Sequence, residues 1–309
     1  MRNGNSKIIR RTTGMFLIKG GVSGEKVVRV ADTIRLKSLG TRCSNNTTLA
    51  EIQFTNIEGD RKNEMFEFSY LLPEKRSEIK VRVANQGYVW PEDRDVSSAI
   101  LKQLAATRPK TRFFLVSAPG WHQGQFVVWD EVFGPRGREM DFRLDPDSDA
   151  HIGAFKCGKG SLKGWQKSVA KPARNSSCLR VAIAAAFAAP LLRLMNMDSF
   201  AINWFSHTSD GKTSMLFIAA SVAGLIDGGL PGWADSEAAM EDQARGHRDC
   251  LCPLDESADG TGKVSLEVKA RTLAFMIARN RSRKLSKKYE RDNALQDREW
   301  RIIVLIPLP

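Results

Sequence analysis

A chain of 309 residues, 42% hydrophobic and 27% charged, is long enough for two domains, and this composition excludes a disordered or fibrous polymer. The net charge of +12 marks polyanions as partners, nucleic acid ahead of membrane, because no basic amphipathic helix with a strong apolar face is evident. Five scattered cysteines, an odd number, argue against a disulfide framework and suit a reducing cytoplasm.

From the N-terminus, the apolar piece Met15 to Ile18 is far shorter than the core of a secretory signal. The first half then reads mostly as strands: Val27 to Leu36, Leu49 to Phe54, Met65 to Leu72, Arg112 to Ala118 and Gln125 to Phe133. One helix is expected there, capped by Asp95 and carrying Val96, Ile100 and Leu104 at helical spacing until Arg108-Pro109. A β-rich α+β domain over 1–150 follows, with the polar run Leu144 to Gly153 at its end.

Over 151–309 the texture changes. An Ala-rich buried helix, Val181 to Leu192, is too short to cross a bilayer. Next come an apolar strand (Ser199 to Phe205), a loop and a helix ending at Gly224. Within the loop, Gly211-Lys212-Thr213 matches the helix end of a phosphate-binding loop. Backbone N–H groups there, from Ser209, Asp210, Gly211, Lys212, Thr213 and Ser214, would surround phosphate oxygens. Lys212 would reach the β- and γ-phosphates of ATP, and the Thr213 hydroxyl would ligate Mg²⁺. The apolar run Cys250 to Leu254 closes on Asp255 and Glu256. Asp255 would hold Mg²⁺ through water, and Glu256 would polarise the attacking water.

Three residues depart from the pattern. Ser206 stands where the loop begins with glycine, Asp210 sets a carboxylate among phosphate ligands, and Pro253 removes a donor from the strand. His247, Cys250 and Cys252 could form a metal site, but their setting favours buried free thiols.

Several stretches resemble a family of mobile-element proteins of unknown function, labelled "superfamily II helicase and inactivated derivatives". They are Pro119 to Pro135, Gly160 to Leu192, Asp210 to Gly224, Asp249 to Glu256 and Trp300 to Leu305, so the likeness runs from about residue 49 to the C-terminus. The resemblance implies a P-loop (RecA/AAA-like) α/β core with a parallel sheet, a hexameric ring, and DNA unwinding driven by Mg·ATP. It implies the same roles for Lys212, Thr213, Asp255 and Glu256. Where the family continues past its sensor strand, this chain reads Ile306 to Pro309, so a shortened member with an uncovered last strand is expected.

The run Arg279 to Arg291 holds seven basic residues and one acid. It reads as a solvated face or as a loop touching DNA phosphates through Arg279, Arg281, Arg283, Lys284, Lys287 and Lys288. Leu273 to Ala278 before it reads as the start of a buried helix. Three outcomes stay open: a helicase-type ATPase, a DNA-binding remnant without turnover, and a piece that does not fold stably alone.

Overall fold

The computed structural model describes residues 6–21, 24–128, 131–134, 140–146, 158, 160–205, 211–224, 230–232, 236–255, 266–282 and 299–308. The chain is mixed α/β and divides into two compact units. The first takes Met1–Arg42, Asn46–Phe114 and Arg138–Asp141; the second takes Cys43–Asn45, Leu115–Gly137 and Phe142–Pro309. Leu115–Gly137, ahead of residue 150, therefore groups with the second unit.

The first unit begins with an antiparallel meander of β1 (Ser6–Arg11), β2 (Gly14–Gly21) and β3 (Gly24–Ala31). Strands β4 (Ile34–Arg42), β5 (Thr47–Thr55) and β6 (Arg61–Glu67) follow, in a sheet whose order is β11-β7-β4-β5-β6. In that sheet β7 is Arg112–Val116 and β11 is Met140–Leu144. The single strand expected over Val27 to Leu36 is broken at Asp32-Thr33 into β3 and β4. Likewise Phe68–Leu71 turns as a 3-10 helix instead of extending β6.

Two helices pack here where one was expected. α1 (Arg76–Asn85) was hidden because Ile79, Val81 and Val83 alternate like a strand. In the helix Ile79 and Val83 are one turn apart and buried, while Val81 faces out. α2 (Arg94–Ala106) is capped by Asp93, whose carboxylate accepts from the N–H groups of Asp95 and Val96. Asp95 is thus the second helical residue, not the cap. Ile34, Ile52, Phe54, Ile79 and Ile100 lie in one core.

The second unit opens with a small antiparallel sheet of β8 (Gly120–His122), β9 (Gln125–Val128) and β10 (Glu131–Phe133). Gln123 and Gly124, both at positive φ, make its two-residue hairpin turn. A helical stretch follows: α3 (Leu162–Trp165), a π-turn over Gln166–Ala170, and α4 (Lys171–Ala173). Then come α5 (Ser177–Ala188) and α6 (Leu191–Leu194). Only one face of α5 is buried, through Ala182, Ala185 and Ala186; Val181 and Phe187 stay exposed.

The unit's parallel sheet has the order β12-β14-β13, with β12 Phe200–Phe205, β13 Leu251–Pro253 and β14 Ile303–Leu308. Helices α7 (Lys212–Ala223), α8 (Glu237–Gly246) and α9 (Leu266–Arg279) cover it. Alternation along the last strand assigns its two faces. Ile303 and Leu305 pack with α5 and α7, whereas Ile302, Val304 and Ile306 pack with α8, α9 and Trp300. Burying each such side chain contributes roughly 1.5–3 kcal/mol.

This order corrects two expectations. The last strand is not uncovered; β14 is central and pairs with a neighbour on both sides. Among the described strands Pro253 lies on an edge strand, and Leu254 N–H donates to Leu305 O at 2.9 Å. Alternate residues donate to the same side, so the Pro253 nitrogen faces away from β14 and no ladder bond is lost. Leu273 to Ala278 proves to be the C-terminal half of α9 and not its start.

Candidate functional site

The site grows from the turn between β12 and α7. Ser206, Ser209 and Asp210 lie outside the described residues. At Gly211 the backbone is left-handed (φ 78°, ψ 21°), where a Cβ would be strained although no atom lies within 4 Å of its place. α7 begins at the next residue, and Met215 N–H donates to Gly211 O at 3.1 Å. Among the described residues no side chain caps this end, where the helix has its positive terminus. Thr213 and Ser214 are exposed there and Lys212 is half-buried.

Asp255 follows β13. Its N–H donates to Pro231 O at 2.8 Å, and Gly232 forms a parallel bridge with it. The Thr213 hydroxyl donates to Asp255 Oδ1 at 3.4 Å. Residues 42 positions apart thus bring a hydroxyl and a carboxylate oxygen to one point beside a helix N-terminus. Hard oxygen donors so placed suit a cation such as Mg²⁺, which takes one or two protein ligands and leaves the rest to phosphates and water. Glu256 lies outside the described residues. Beside the helix start a cavity of about 500 Å³ is lined by Ser176, Leu179, Trp204, Phe205 and Ser214.

Residues that the motifs did not single out hold these strands in place. Fully buried Asp249, just before β13, receives Arg193 Nε on both oxygens at 2.8 and 2.7 Å, and the Trp121 N–H at 3.0 Å. The Trp121 indole donates to Pro190 O at 2.7 Å. This charged contact, one N–H shared between both carboxylate oxygens, fixes the entry to β13 and so the reach of Asp255. Asn280, left-handed at φ 55°, ends α9 and ties three segments together. Its amide donates to Asp198 Oδ1 at 2.8 Å and its Oδ1 accepts from Ser199 N–H at 2.9 Å. Its carbonyl accepts from Trp300 N–H. The one sequence signal was an asparagine at a helix end. Trp165, within the stretch Gly160 to Leu192, donates to Ser221 Oγ at 2.8 Å, which attaches α3 to α7.

The other predicted residues are dispersed. Arg279 is engaged: its guanidinium pairs with Glu241 of α8 and its Nε donates to Arg281 O at 2.8 Å. Arg281 is exposed, and its backbone forms an antiparallel β-bridge with that of Glu299. Arg283, Lys284, Lys287 and Lys288 lie outside the described residues. His247 Nδ1 shares a hydrogen bond with Gln243 O at 2.8 Å. Burial raises the thiol pKa of both Cys250 and Cys252, the latter to about 12, so both are uncharged at neutral pH. Among the described residues no helix is long and apolar enough to cross a membrane.

Comparison with solved structures finds a chain described as "SCCmec type IV Cch - active helicase", with a TM-score of 0.65 at 16% identity. The similarity covers 98% of this chain and 54% of that one, so this chain spans about half the length of the structure it matches. At that identity the likeness speaks for the fold. No curated protein matches the chain. The family described as "Domain of unknown function (DUF927)" matches residues 13–297, and with nearly the whole sequence covered, the chain belongs to that family.

Proposed function

We propose that the second unit is a P-loop nucleotide-binding core that takes ATP with Mg²⁺ at the N-terminus of α7. On this reading the chain is a helicase-like ATPase acting on the DNA of a mobile element. The observation that carries it is the meeting of Thr213 and Asp255 across α7 and β13, beside the left-handed Gly211. The fold shared with a chain described as an active helicase supports it.

Lys212 neutralises the outer phosphates, and the first-turn N–H groups of α7 orient them. Thr213 and Asp255 would hold the cation, and Glu256 would accept a proton from the attacking water. Bound Mg·ATP supplies the phosphoryl group that is transferred. DNA is held through phosphates by the basic surface, and subunits associate in a ring. Because Arg279 is paired with Glu241, the DNA contacts of the basic run fall to Arg281 and the residues after it.

Calorimetric titration with Mg²⁺ and a slowly hydrolysed ATP analogue tests the reading. Unaltered protein binds, Lys212→Ala weakens binding at least about tenfold, and Asp255→Asn removes the Mg²⁺-dependent part. A folded sample that binds no nucleotide rejects the ATPase. The net charge of +12 then favours a DNA-binding protein without turnover.

A further inference from the structure

The first unit carries a charged surface that the nucleotide site does not use. A cleft of about 470 Å³ is lined by Arg10, Arg11, Arg35 and Arg61 together with the hydroxyls of Thr33 and Thr55. Register explains the grouping. Arg35 is paired with Gln53 and Thr55 with Arg61 across β4, β5 and β6, so their side chains share one face. The end of β1 adds Arg10 and Arg11. Four like charges are gathered with no carboxylate in the lining. Nearby acids are committed to cations outside the cleft: Asp32 to Arg29, Glu51 to Lys37 and Asp60 to Lys62.

The donors are arranged for an external acceptor. Arg35 Nε donates to Gln53 Oε1 at 3.0 Å, which orients the guanidinium and leaves its two terminal amino groups. Arg11 lies over the Phe16 ring at 5.1 Å, and no ion pair engages it among the described residues. The two threonine hydroxyls, 2.8 Å apart, share one hydrogen bond, so one hydroxyl hydrogen remains to be offered. Guanidinium forks and hydroxyls match phosphate oxygens.

We propose that this cleft binds the phosphodiester backbone of double-stranded DNA, without reading sequence. Two features choose this occupant. The lining has no aromatic side chain, so it lacks the stacking platform on which unpaired bases are held. It also has no large apolar side chain to enter a lipid surface. Phosphate-only contact is the sequence-independent mode of duplex binding. The proposal rests on the reading of DNA as partner and names the surface of the first unit that would meet it.

The test compares the full chain with Arg35→Ala/Arg61→Ala and with a control of equal charge loss, Lys102→Ala/Lys110→Ala. All four residues are exposed in the first unit, and only the first pair lines the cleft. Binding to a duplex of random sequence and to one of its strands is measured across a salt series, without nucleotide. The arginine variant should bind duplex roughly tenfold more weakly, with a salt slope shallower by about 1.8. The control should change less, and unfolding midpoints should stay equal among the three. Duplex affinity equal to that of the control overturns the cleft while leaving the DNA partner standing. A loss confined to single strands overturns the choice of duplex. An unaltered chain that binds neither overturns both this proposal and DNA as partner. A lowered unfolding midpoint moves the same comparison to Arg35→Lys/Arg61→Lys, which keeps charge but not the fork. Equal duplex binding by that variant and the unaltered chain overturns the fork geometry.

Discussion

The two main sheets solve opposite problems. In the second unit, β14 is sealed on both faces, by α5 and α7 on one side and by α8, α9 and Trp300 on the other. Its run from Ile302 to Ile306 is therefore continuously apolar, as buried parallel strands are. In the first unit β5 alternates over its C-terminal end, Ile52 to Thr55. Ile52 and Phe54 enter the core, while Gln53 and Thr55 look onto the arginine-lined face. A sheet covered on both faces uses its side chains for packing and leaves its strand ends, where Asp255 lies, accessible. A sheet covered on one face leaves polar side chains on the other facing water.

Substitutions of matched severity should separate the two. Leu305→Ala, at a fully buried central position, should lower the stability of the second unit by about 2–5 kcal/mol. Arg35→Ala on the open face should change stability by no more than about 0.5 kcal/mol. Urea unfolding of both variants checks this, and equal costs would erase the distinction. Gly120→Ala probes how the parallel sheet is held at its entrance. Gly120 sits at φ +105°, and an added Cβ would lie 2.5 Å from Asp249 Oδ2 and 2.9 Å from Arg248 O. We expect a loss of about 1–3 kcal/mol. It should be accompanied by weaker Mg²⁺-dependent nucleotide binding, since Asp249 leads into the strand that carries Asp255.

A pH dependence also separates the folded and unfolded states. Burial first, and then the positive field of Arg248, push His122 from its ordinary 6.5 down to about 4; its Nε2 contacts Ala118 O at 2.9 Å. The folded state thus holds a neutral ring that the unfolded chain protonates below about 6.5. Stability present above pH 6.5 is lost as pH falls toward 4, by up to about 1.4 kcal/mol per unit. Urea midpoints at pH 7 and pH 5 should differ more in the unaltered chain than in His122→Asn. Equal pH responses would remove His122 as the cause.

Much of this was legible along the chain. Gly211 and Gly224 bracket α7 because a left-handed start and a glycine end are local requirements. Thr213 and Asp255, singled out along the chain by residue type and context, lie within 3.4 Å of each other in the fold. α1 was not, because its apolar residues satisfy a strand period and a helix period together. The ion pair of Arg279 with Glu241 was not legible either: a charge run records composition, while that pair depends on how α8 and α9 pack.

By itself the sequence determined the net charge, the alternation of apolar strands with helices in the second half, and the glycine turn before α7, since each follows from composition or from a few neighbouring residues. Only the tertiary structure decided the middle position of β14, the edge that excuses Pro253, the meeting of Thr213 with Asp255, and the gathering of Arg10, Arg11, Arg35 and Arg61. Strand order and register depend on how helices cross a sheet and which faces they bury, and no local propensity encodes that choice.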